Sequence, residues 1–163
     1  MATFQLAHRD AKLAYLALQY HLARPGSELD PETKQPAAHG LAELARALEP
    51  QLERAVAAIE LSEHQRQRLL EAMAGTLNEL KTYPLLDRLP GGGRHTALPA
   101  FDATLRRLFP EVEDEPDEAS QLAAQLMALR RRLERAAPLP TTAAERSGPA
   151  PRPWWRLWQR KGP

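Results

Sequence analysis

The chain has 163 residues and a formal net charge of +1, enough for one domain of ordinary size with a tail and too little for a large multidomain enzyme. It contains no cysteine, which excludes a disulfide framework, a thiolate zinc site and a cysteine nucleophile. Hydrophobic residues make up 43% and charged residues 26%, and no apolar run approaches the roughly 20 residues that span a bilayer. The opening residues carry no basic segment followed by an apolar one, so the expected location is cytoplasmic.

Apolar residues recur at spacings of three and four, and alanine and leucine dominate. Valine and isoleucine occur only as Val56, Ile59 and Val112. This usage predicts an all-α fold, a helical bundle of four main helices plus one short helix. The bundle is expected over residues 1–137, followed by a disordered C-terminal tail over 138–163. The first helix is expected from Leu6 to Ala23, stopped by Pro25-Gly26. Residues 25–36 are rich in turn formers and read as a loop.

From Ala38 to Leu61 the stripe Leu41, Leu44, Leu48, Leu52, Val56 and Ile59 keeps one phase through Pro50, which predicts a single kinked helix. Ser62 followed by Gln65 has the spacing of a capping box and opens a third helix, ended at Tyr83-Pro84. Residues 85–98 hold Pro90 and Gly91-Gly92-Gly93 and read as a connection. A short helix follows Pro99 and stops at Pro110. The last, from Asp117 to Ala136, carries the seam Leu122, Leu126, Leu129 and Leu133, a stripe that pairs within the bundle or with a second copy as a homodimer. Leu16, Leu48, Leu52, Met73, Leu77, Phe101 and Leu126 are the expected core.

Charge is blocked toward the C-terminus. Residues 111–118 carry six acids and no base. Arg130, Arg131, Arg132 and Arg135 on the last helix face only Glu134, a net +3. These arginines could track a phosphate backbone or an acidic partner; the plainer reading is a solvated face that complements the helix C-terminus. The histidines are scattered, with no i, i+4 pair. Gly91-Gly92-Gly93-Arg94 could offer amides to an anion but lacks the residues of a phosphate-binding motif. No nucleophile elbow and no environment that would separate the pKa values of two carboxylates is visible. Neither catalytic residue, metal nor cofactor is therefore expected.

The tail is the strongest signal. Residues 138–153 are proline-rich and low in hydrophobicity, the composition of a linker. Wound as a helix, Trp154, Trp155, Leu157 and Trp158 share one arc, with Arg156 and Arg160 opposite and Arg152 and Lys161 nearby. Indoles favour a membrane–water interface and arginines an anionic one, so this segment reads as an anchor to a membrane's inner face. A groove on a partner protein, or on the protein's own body, is the alternative. The chain is thus expected to be a non-enzymatic interaction or adaptor protein tethered through its tail. The alternative is a nucleic-acid-associated regulator that uses the arginine face.

Overall fold

The computed structural model describes residues 1–30, 32, 39–86, 98–115 and 117–136, the side chains of 84–86 excepted. The fold is mostly helical with one small sheet. In chain order it runs β1 (Ala2–Ala7), α1 (His8–Leu22), α2 (Leu41–Leu48), a 3-10 turn (Glu49–Gln51), β2 (Val56–Leu61), α3 (Glu63–Leu86), α4 (Pro99–Leu108), α5 (Glu111–Asp114) and α6 (Glu118–Arg135). Among the described residues the long helices are α1, α3 and α6, where the sequence predicts four main helices.

The sheet corrects the all-α expectation in two places. β1 and β2 pair antiparallel, Ala2 opposite Leu61 through Ala7 opposite Val56. Leu6 therefore belongs to a strand and not to the first turn of a helix. The expected kinked helix over 38–61 is divided: Pro50 sits at the start of the 3-10 turn instead of kinking a continuous helix, and the chain then turns into β2. Val56, placed inward by the helical stripe, is 55% exposed, while Ala57, Ile59 and Leu61 are buried. Period two governs this segment, and two of the three β-branched aliphatic residues of the chain lie in it. A six-residue strand is only marginally stable alone; here Phe4 and Leu6 meet Ile59 and Ala57 across the ladder and seal one side of the core.

Elsewhere local signals hold. Ser62 N–H donates to Gln65 Oε1 at 3.0 Å and Gln65 N–H donates to Ser62 Oγ at 3.1 Å, the reciprocal bonds of a capping box at the start of α3. α3 continues three residues past Tyr83 to Leu86, with Pro84 in its last turn. α4 opens on Pro99 and ends before Pro110 as expected. All seven expected core residues are buried.

α1 is the central element: Leu13, Ala14, Leu16, Ala17 and Leu18 are fully enclosed, and it touches β1, β2, α2, α3, α4 and α6. Gly75 lets α3 come close to it, since a Cβ there would fall against the edge of the Tyr20 ring, closer than atoms can pack. That ring is in turn held edge-on against Phe101 of α4, centroids 5.8 Å apart. The seam Leu122, Leu126, Leu129 and Leu133 is buried within the chain, chiefly on α3. It therefore leaves no open apolar stripe for a second copy of α6. The first four residues of the acidic run form α5, with Val112 inward, and its last, Glu118, opens α6; Glu111 and Glu118 pair with Arg9, and Glu113 with Arg106.

Candidate functional site

α3 and α6 run in opposite directions. Their juncture is fixed at one end by Arg66, whose guanidinium holds Glu63 and donates to the Leu133 carbonyl at 2.9 Å. The carbonyls that end α6 are thereby satisfied by a cation, as the helix dipole favours. Farther along, residues of the two helices line an open groove of about 380 Å³. Ala74, Leu77 and Met127 supply its apolar lining, and Asn78, Lys81, Arg130, Arg131 and Glu134 its polar rim. Three bases against one acid leave the rim at a formal +2.

The four arginines singled out on α6 do not form one face. Successive residues turn by about 100°, so Arg130, Arg131 and Arg132 point in three directions. Arg132 reaches back to Asp10 of α1, Nη2 to Oδ2 at 2.6 Å. Arg130 pairs with Glu134 one turn on, at 3.0 Å, while its Nε is enclosed and makes no hydrogen bond. Arg131 is exposed on the groove rim. Arg135 is exposed and turns its Nε onto the Arg131 carbonyl at 3.1 Å. Only Arg130 and Arg131 face the groove, and they are joined there by Lys81, which helical phase on α6 could not reveal. Its signal in the sequence is its place on α3, one turn beyond Leu77 and on the side of Ala74 and Asn78.

A second cluster assembles from residues far apart in sequence. His39 Nδ1 lies 2.9 Å from His64 Nε2, and the His21 ring stands 6.3 Å from that of His39. Burial lowers the pKa of His21, helped by His39, Arg24 and Arg68 and opposed by Glu28. Glu28 itself accepts from the backbone N–H groups of His39, Leu41 and Ala42 at 2.8, 3.1 and 3.0 Å. It thus caps α2, whose N-cap is Gly40 at φ 73°. Among the described residues, no group of three or more histidine, aspartate or glutamate side chains is arranged to hold a metal ion.

Trp154, Trp155, Leu157, Trp158, Arg152, Arg156, Arg160 and Lys161, the boundary at Pro138 and the Gly91–Gly93 segment lie outside the described residues. No helix among the described residues is long and apolar enough to cross a membrane. No family model, curated protein or solved structure matches the chain.

Proposed function

We propose that the protein is a non-enzymatic interaction module. Its helical body, residues 1–137, receives an acidic partner protein in the α3–α6 groove, and its tail, 138–163, fastens it at the inner face of an anionic membrane. The observation that carries this reading is the groove's composition: an apolar floor of Leu77 and Met127 beneath Lys81, Arg130 and Arg131. An amphipathic helix with acids on one side would match both parts, its apolar face desolvated and its charges met on the rim. The indoles and bases of 154–161 support the membrane half, because burial of indole rings and attraction of bases to anionic lipid add to a reversible, salt-sensitive attachment.

Two measurements test the two halves separately. A labelled amphipathic peptide with glutamates on one face and leucines on the other should bind the full chain at low salt. Binding should be lost in the Arg130→Gln/Arg131→Gln variant, with the melting temperature unchanged. Sedimentation with phosphatidylglycerol vesicles should be abolished by deleting 154–163 while the peptide still binds. Peptide binding indifferent to both arginines refutes the groove, and vesicle binding indifferent to the deletion refutes the anchor. Binding of a DNA duplex that survives tail deletion but is lost on neutralising Arg130, Arg131 and Arg132 would replace this reading with a nucleic-acid role.

A further inference from the structure

The two edges of the small sheet are treated differently. Hydrogen bonding alternates along an antiparallel ladder, so every second residue turns its N–H and C=O away from the partner strand. His8 N–H donates to the Ala55 carbonyl at 3.0 Å, which continues the ladder into the adjoining residues. With the register, this makes Leu6/Ala57 and Phe4/Ile59 the bonded pairs. On β2 the outward residues are therefore Val56, Ala58 and Glu60. The middle one is covered: Ala58 N–H donates to Gln51 Oε1 at 3.0 Å, and Gln51 Nε2 donates to the Ala58 carbonyl at 3.2 Å. A single amide side chain thus closes that edge as a neighbouring strand would.

On β1 the outward residues are Thr3, Gln5 and Ala7. All three are exposed, and among the described residues only the Ala7 carbonyl is engaged, as the N-cap acceptor for the first turn of α1. Nothing in the strand defends that edge. Ala-Thr-Phe-Gln-Leu-Ala contains no charge, proline or glycine, the devices by which edge strands avoid one another. Beside it lies a groove of about 190 Å³ with Phe4 and Leu6 on one side and Leu129 and Leu133 of α6 on the other.

We infer that this edge is a self-association surface, taken by β1 of a second copy to form a continuous sheet in the order β2-β1-β1-β2. The strand is self-complementary about Gln5. A twofold axis there sets Gln5 opposite its own copy and Thr3 opposite Ala7, the residues of the outward-facing edge, whose central pair of Gln5 N–H and C=O groups is open while the Ala7 carbonyl also serves the first turn of α1. The same register puts Phe4 opposite Leu6 on the face that borders the groove, extending the apolar layer under both copies. Within the paired strands themselves no like charges meet, and Arg132, the one charged residue lining the groove, is already paired with Asp10. The stretch of this chain that follows Ala136 fits the edge less well, since Pro138 and Pro140 have no N–H to donate.

The twofold through Gln5 supplies a specific test on the untagged full chain by analytical ultracentrifugation. The native chain should dimerise. Gln5→Lys puts two ammonium groups opposite each other and should weaken self-association at least about fivefold, as should Gln5→Glu with two carboxylates. Mixing the two variants should restore a one-to-one dimer. Gln5 is exposed in the monomer, so at concentrations where all three chains are monomeric both variants should keep the native melting temperature. Amide exchange gives an independent reading: protection at Thr3, Gln5 and Ala7 should rise with protein concentration and survive deletion of 154–163. A monomeric native chain, variants that dimerise as well as it does, or mixed variants that stay monomeric overturn the proposal. Protection independent of concentration and lost on tail deletion overturns it too, and would make the tail the occupant.

Discussion

Removing the Glu28 carboxylate tests how α2 is held at its start. The helix begins at a glycine and has no capping side chain of its own, so its first amides depend on an acceptor 13 residues ahead of Leu41. Three backbone N–H groups converge on that one carboxylate. A hydrogen bond to a charged group contributes about 1.5–3 kcal/mol net. The three here share a single charge at a half-buried helix end, where freed amides recover water, and their contributions do not add. Glu28→Ala should therefore cost about 2 kcal/mol, or roughly 6 °C in melting temperature for a domain of this size. Glu28→Gln keeps one acceptor oxygen but opposes its NH2 to a backbone donor, and should cost about half as much.

The acid arm of the same experiment has a definite sign. Burial pushes the Glu28 carboxyl up, but the Ala42, Leu41 and His39 amides and the nearby His21 outweigh it and hold it below its ordinary 4.5. In the window just under that value the unfolded chain binds more protons than the folded one. The contribution is thus complete above 4.5 and lost as pH falls through the depressed folded value. Guanidinium unfolding followed by circular dichroism measures both effects. An Ala variant less than about 0.5 kcal/mol below the native chain would refute the capping role, as would a Gln variant that keeps the full acid dependence.

Three further outcomes follow from the packing. Leu126→Ala should cost about 3 kcal/mol by calorimetry, since that side chain is fully enclosed beneath α3 and truncation leaves a cavity; a loss below about 1 kcal/mol would mean that the seam is not tightly packed. Gly75→Ala should destabilise by about 1–2 kcal/mol despite alanine's better helix propensity, because the added methyl displaces a Tyr20 ring already held against Phe101, and combining it with Tyr20→Ala should cost less than the sum of the two. Burial first, then His39, Arg24 and Arg68, keep His21 below 6.5 against the pull of Glu28. Stability should therefore fall as the medium drops below 6.5, before the Glu28 window is reached, and His21→Leu should flatten that earlier slope in melts over about pH 8 to 5.

What the sequence determined by itself is what depends on neighbours three or four residues away. The capping box of Ser62 and Gln65, the proline borders of α4, the leucine seam of α6 and the seven core positions all express local geometry and a single periodicity, and each stands where that geometry puts it. The two strands could not be found that way. Leu52, Val56 and Ile59 satisfy a helical stripe as well as Ala57, Ile59 and Leu61 satisfy an alternating one. The choice falls to the strand because Ala2 to Ala7 lies against Val56 to Leu61 and completes their hydrogen bonds. The same limit governs the surface. The position of Arg130 on α6 says nothing of Lys81 on α3. The positions of His21, His39 and His64 likewise give no sign that their rings converge. Tertiary structure decided these features because each is an interaction between segments whose closeness is a product of folding, whereas a helix carries its own hydrogen-bond partners within one turn.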